Sequence, residues 1–173
     1  MTDTIIITPA ELNLLEKSLQ SVAGSVNSLQ QIAYALMPFT GLDTTLQKFC
    51  NAINKTKALQ IAYTAVNLNT TTVTYQKALV IYNTVGELVV NILKHSGAKN
   101  ANLHIERKGP MLHITVGDDG DGFDEAVIIG TAGNGYKKMK ADLQAVNGSI
   151  KKLPTWQKGS LVGIQVPLSE QDR

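Results

Sequence analysis

Residues 87–98 read Glu87-Leu88-Val89-Val90-Asn91-Ile92-Leu93-Lys94-His95-Ser96-Gly97-Ala98. On a helix, Glu87, Asn91, Lys94 and His95 stand at offsets of four, seven and eight residues and share one face. Val85, Leu88, Val89, Ile92 and Leu93 supply the opposite, apolar face. A polar stripe on a helix is usually a solvated surface. Here the core side is already complete, so the stripe is available for chemistry. A carboxylate one turn before a carboxamide pairs a candidate base with a neutral oxygen, and such an oxygen suits Mg²⁺ shared with phosphates. The helix as a whole is expected from about Thr74 to Ser96, with Gly97 as its stop.

Downstream, two strands are predicted at Ala101–Arg107 and Met111–Gly117 around a tight Lys108-Gly109-Pro110 turn. Leu112, Ile114 and Val116 alternate with His113 and Thr115, so one face of the second strand is buried. Asp118-Asp119-Gly120-Asp121-Gly122-Phe123-Asp124 follows at once. A calcium loop would need a closing glutamate and flanking helices, and it has neither. A carboxylate at a strand end followed by Gly-x-Gly can instead recognise an exocyclic amine, the glycines admitting a flat base close to the backbone. Next comes Gly130-Thr131-Ala132-Gly133-Asn134-Gly135, then a helix from about Tyr136 to Val146 carrying Lys137, Lys138 and Lys140. Glycine-rich backbone before a helix N-terminus is a phosphate site in principle. The chain has no Gly-x-x-x-x-Gly-Lys-Ser/Thr and no strand-first Gly-x-Gly-x-x-Gly, which argues against P-loop and dinucleotide folds. Ser149–Leu153 and Leu161–Leu168 form a final hairpin around the Pro154–Gly159 turn.

Upstream, Gln60–Leu68 reads as a strand and Leu42–Thr56 as a helix with Leu42, Leu46, Phe49, Cys50 and Ile53 on its apolar face. Cys50 is read there as a small core residue. Thr8-Pro9-Ala10-Glu11 is a capped helix start. The helix that follows, 9–37, repeats Leu12, Leu15, Leu19, Val22, Val26, Leu29, Ala33 and Leu36 in alternating steps of three and four, and Pro38 ends it. That heptad seam wants a partner helix. It either packs on its own domain or dimerises. The order of elements predicts an α+β fold: a two-layer sandwich with a mixed, mostly antiparallel sheet covered by helices. The expected division is an N-terminal helix in 1–40 and a globular domain in 41–173.

Composition narrows the function. The 173 residues carry 16 basic and 14 acidic side chains, a net charge of +2, too weak a field to point to nucleic acid. Apolar residues make up 43%, enough for a core. No stretch approaches the ~20 apolar residues that span a bilayer. Met1-Thr2-Asp3-Thr4 lacks a basic leader, and one cysteine excludes a disulfide framework or Cys-cluster zinc site. A cytoplasmic protein is expected.

Taken in order, the glycine and carboxylate elements resemble known ones. Residues 87–98 resemble the N-box of sensor histidine kinases, and Asp118-Asp-Gly120-Asp-Gly122-Phe123 their first glycine box. Gly133-Asn-Gly135 before a helix is similar to the second glycine box after a short lid, and Lys158-Gly159-Ser160 to the late Gly-Thr element. The chain thus resembles the ATP-binding domain shared by histidine kinases, gyrase, heat-shock 90 chaperones and MutL. Lys94-His95-Ser96-Gly97-Ala98 and the short lid resemble the subfamily that pairs with LuxR/NarL-type regulators, over roughly residues 30–168. The resemblance implies ATP and Mg²⁺ as ligands. Asp118 would accept from the adenine amino group, with Gly120 and Gly122 allowing close approach. Asn91 would hold Mg²⁺, and Glu87 would orient or polarise the phosphoryl acceptor. Lys94 and His95 would lie by the phosphates, and Gly133 and Gly135 would wrap them. Ser160 stands where threonine is usual. Asp121, where lysine or arginine is common, adds negative charge beside the nucleotide.

Phosphotransfer in that family needs an acceptor histidine on a dimerisation helix. Every histidine here (His95, His104, His113) lies at or after position 95. The expectation is therefore a kinase-type phosphotransferase domain without its own acceptor, in two-component signalling. It would act on or with a partner histidine kinase or response regulator, as a fragment or a stand-alone module, and homodimerise through helix 9–37. Thr2 to Thr8 resemble a natural start, which favours the stand-alone case. The alternatives are an inactive interaction module of the same fold and an anti-sigma-type serine kinase, which Lys94–Ala98 fits poorly.

Overall fold

The computed structural model describes residues 21, 24, 41–68, 73–122, 135–155 and 158–168. Ser21 and Gly24 are helical and exposed. The remainder of the expected helix 9–37, and Gly133, lie outside the described residues.

Helix α1 runs through 41–56 and buries Leu42, Leu46, Phe49, Cys50 and Ile53, the face its spacing predicts. Strand β1 follows at Gln60–Val66 and helix α2 at Tyr75–Asn91. Strands β2 (Asn100–Lys108) and β3 (Met111–Asp118) form the predicted hairpin. Helix α3 is Gly135–Ala145, and β4 (Ser149–Lys152) and β5 (Ser160–Pro167) close the fold. The expected helix to Ser96 is interrupted: α2 gives way to one π turn at Ile92–Ser96.

The sheet has the order β1-β2-β3-β5-β4. Only β1 and β2 are parallel, the other three pairings being antiparallel. This is the mixed, mostly antiparallel sheet of the α+β expectation. Register places Ile105, Ile114, Ile164 and Ile150 in one row across β2, β3, β5 and β4. Leu103, Val116 and Val162 form a second row, and all seven are buried. Strand side chains alternate, so these rows face the helices and their neighbours face away. α2 is the central helix. Ile81, Tyr82, Val85 and Val89 join the same core, and Phe49 of α1 meets Tyr82 edge-on, ring centroids 5.5 Å apart. Val90, beside the polar stripe, is buried too, so the stripe is narrower than spacing alone implies.

The far face of the sheet takes the remaining histidines. Glu106, His113 and Gln165 stand in register there, and Glu106 pairs with Lys108 at 2.9 Å and His104 at 3.6 Å. Lys108 above all holds the Glu106 carboxyl below its ordinary range. On β1, the Gln60 N–H reaches back to the Lys99 carbonyl at 3.0 Å. The polar groups of Ile61 meet Asn54 instead. Its Nδ2 donates to the Ile61 carbonyl at 3.0 Å, and its Oδ1 accepts from the Ile61 N–H at 2.6 Å.

Candidate nucleotide site

The site begins where α2 ends. Glu87 and Asn91 are half-buried on its polar stripe, while Lys94 and His95 are exposed. The π turn brings Ser96 inward, and it is buried. Its hydroxyl donates to the Ile92 carbonyl at 2.9 Å and accepts the Ala98 N–H at 3.1 Å. Gly97 then ends the helix in the left-handed region, φ 64°. π turns concentrate at functional sites because they re-aim the side chains of one helical turn.

Ser96 also anchors the loop after β3. Its carbonyl accepts the Asp121 N–H at 2.8 Å. Gly120 lies so close that a Cβ there would overlap the same carbonyl and stand 2.7 Å from the Ser96 hydroxyl oxygen. Only a hydrogen fits. The turn that ends α2 and the loop after β3 are thus one unit, held by backbone rather than by long side chains.

Asp118 sits in the middle of this unit. One carboxylate oxygen accepts the Gly120 N–H at 2.9 Å, and the other accepts the hydroxyl of Ser160. Asp118 and Ser160 are register partners on β3 and β5, and Ser160 is buried. Beside them Gly159 has φ 116°, and a Cβ on it would overlap the Asp118 carbonyl oxygen. No L side chain satisfies both constraints. A carboxylate has about four acceptor positions, so with two used Asp118 keeps capacity for a further donor.

The neighbouring carboxylates do different work. Asp119 faces back to β2. It accepts the Lys99 and Asn100 N–H groups at 2.9 Å each and the Asn100 amide at 2.8 Å. These bonds, the Asn100 N–H foremost, hold its carboxyl below the ordinary range. The sequence reads Asp121 as added negative charge beside the nucleotide. The structure pairs it with Lys158 at 2.6 Å, and this contact raises the lysine's pKa.

The far end of the stripe is walled by α3. A Cβ on Gly135 would stand 2.7 Å from Glu87 Oε1. Between α2 and α3 lies a cleft of about 420 Å³ lined by Asn83, Thr84, Glu87, Lys138, Met139 and Asp142, with Gly135 at its edge. Lys138 reaches Asp142 at 2.8 Å, one turn along the helix. Of the predicted residues, then, Ser96's turn, Asp118, Gly120, Gly122 and Ser160 cluster, with Gly122 packed on the Gly159 carbonyl. Glu87 and Gly135 meet separately. Ser160 enters as the donor that holds Asp118. Asn83 and Asp142 also line the cleft, and the sequence reading does not single them out. Spacing relates them to the stripe and to α3: Asn83 stands one turn before Glu87, and Asp142 one turn after Lys138.

No family model matches the chain. Over 90 residues it is 34% identical to the sensor histidine kinase YdfH of Bacillus subtilis (strain 168), a match covering 50% of this chain and 22% of that kinase. The chain therefore spans about a fifth of that relative's length. Among solved structures it superposes on the histidine kinase domain of the Erythrobacter litoralis EL346 blue-light activated histidine kinase. The TM-score is 0.65 at 20% identity, over 95% of this chain and 97% of that one. The ATP binding domain of PrrB from Mycobacterium tuberculosis aligns at TM-score 0.55 and 16% identity, over 69% and 88%. The fold is that of histidine-kinase ATP-binding domains. Among the described residues no helix is long and apolar enough to cross a membrane.

Proposed function

We propose that this chain is the ATP-binding catalytic domain of a two-component histidine kinase of the LuxR/NarL-associated kind, passing the γ-phosphoryl group of ATP to a histidine on a partner. The observation that carries this reading is the Asp118 constellation. A carboxylate is fixed by Ser160 and the Gly120 N–H at the end of a strand, and glycine backbone lies on both sides of it. Its remaining acceptor capacity suits the adenine amino group, where guanine presents a carbonyl that would repel it.

Asn91 is half-buried on the same helix face and offers one neutral oxygen. That donor fits Mg²⁺, which takes its other ligands from phosphates and water, and the ion when bound would neutralise phosphate charge. Lys94 and His95 would flank the phosphates. Phosphoryl transfer runs in line, so the acceptor approaches from the side opposite the leaving ADP. With the phosphates beside Lys94 and His95, that side would lie toward Glu87 and Asn83 along α2. The α2–α3 cleft would receive the incoming imidazole, and Glu87, which lines it, would take its proton.

Calorimetry tests the reading. Wild type should bind ATP well above GTP, and Asp118→Asn should lose about 1–3 kcal/mol of ATP affinity, the cost of a broken buried polar pair. Equal affinity for the two nucleotides, or an unaffected variant, rejects the assignment. The heptad seam of helix 9–37 is proposed to pair with a second copy. Leu19→Glu with Val26→Glu should lower the sedimentation mass to the monomer without changing ATP affinity.

A further inference from the structure

The loop after β3 places three carboxylates within four positions, Asp118, Asp119 and Asp121, beside a site read as taking a polyanion. Two of them are satisfied by neutral donors: Asp118 by the Gly120 N–H and the Ser160 hydroxyl, Asp119 by the Lys99 and Asn100 backbone N–H groups and the Asn100 side-chain amide. Asp121 differs. Its N–H is fixed on Ser96, and its side chain lies beside Gly97, where a Cβ would stand 3.7 Å from Oδ2. Gly97 is two residues past His95. The Asp121 carboxylate is therefore held next to the turn that carries the proposed phosphate residues. The group the structure sets against it is Lys158, at 2.6 Å, from the loop between β4 and β5.

Position makes this pairing more than a surface ion pair. Both side chains are about three-quarters exposed, 74% and 73%, so the contact contributes little to folding. Each is tied to the site through its neighbour. Asp121 is followed by Gly122, whose Cβ would stand 3.0 Å from the carbonyl of Gly159, the residue after Lys158. The two loops meet there, across the edge of the proposed nucleotide site.

Resting on the ATP reading above, we propose that Lys158 is the counter-ion that makes the Asp121 loop compatible with a triphosphate, so that the pair sets the site's selectivity by ligand charge. Its role is to cancel Asp121. With the pair intact the loop carries no net charge at this point. With Lys158 removed, an unpaired carboxylate would act on the phosphates through water, an interaction that salt screens over about 8 Å at physiological ionic strength. The penalty then grows with the charge on the ligand and shrinks with added salt.

The experiment is a titration of adenosine, ADP and ATP into four proteins: wild type, Lys158→Gln, Asp121→Asn and the double variant. Lys158→Gln should weaken ATP binding about three- to tenfold at low salt, ADP less and adenosine not at all, the loss fading at high salt. Adding Asp121→Asn to Lys158→Gln should restore wild-type affinity for all three. A loss equal for adenosine and ATP overturns the proposal, because it marks a structural role. A loss that persists in the double variant overturns it too, because Lys158 then contacts phosphate itself. ATP binding unchanged in every variant overturns this inference and leaves the nucleotide assignment standing. A wild-type protein that binds none of the three ligands removes both.

Discussion

The two ends of the candidate site are built on different principles. At the Asp118 end, glycines and short hydroxyls bring backbone against backbone: Gly120 on Ser96, Gly159 on Asp118, Gly122 on Gly159. At the Glu87 end, half-buried or exposed side chains stand on one helix and face an open cleft. The first end is determined by steric exclusion and exists before a ligand arrives. On the proposed reading, the second supplies functional groups whose final placement waits for phosphates and an acceptor. A base is a rigid plane and is recognised by a preformed slot. A phosphoryl group changes partners during the reaction, so side chains with freedom to adjust suit it better.

The largest effect should come from breaking the rigid end. Gly159→Ala puts a methyl group into the Asp118 carbonyl at a φ that alanine avoids. It should destabilise the domain by about 3 kcal/mol or more, read as a fall in the denaturation midpoint. Stability within about 0.5 kcal/mol of wild type would mean that this end is looser than the packing implies. Ser160→Ala is milder. It strips the buried donor from one Asp118 oxygen and should cost about 1–3 kcal/mol. ATP affinity should fall alongside stability, because the carboxylate loses its anchor, whereas Ser160→Thr keeps the hydroxyl and should retain both. Asn91→Ala belongs to the adjustable end and sharpens the contrast. Thermal stability should move by about 0.5 kcal/mol or less, since no core cavity forms. The Mg²⁺ dependence of ATP binding should vanish. A large loss of stability in this variant would show that the stripe, too, is part of the scaffold.

The same contrast explains what the sequence made legible. Periodicity located α1, α2 and the strands, because burial on one face leaves a pattern over many residues: Leu42, Leu46, Phe49 and Ile53 are all buried as their spacing requires. The polar stripe was legible for the same reason. The locks at the Asp118 end left no periodic trace. Asp118, Asp119 and Asp121 look equivalent in the chain. Yet one binds Ser160, 42 positions away, another binds Asn100, 19 positions away, and the third binds Lys158. The π turn was equally hidden. Ser96 bonds back to Ile92 and on to the Asp121 N–H through its carbonyl, and a helical template gives no sign of either. The resemblance to known glycine boxes marked these positions as important without revealing which contact each one makes.

Asn54 has a wider consequence. Strand β1 lies at the edge of the sheet, where exposed backbone can recruit a strand from another molecule. The Asn54 carboxamide occupies both polar groups of Ile61 in the geometry a neighbouring strand would use. It covers that one position of the edge as a neighbouring strand would. In a crowded cell that guards against fibril-like stacking of partly folded copies.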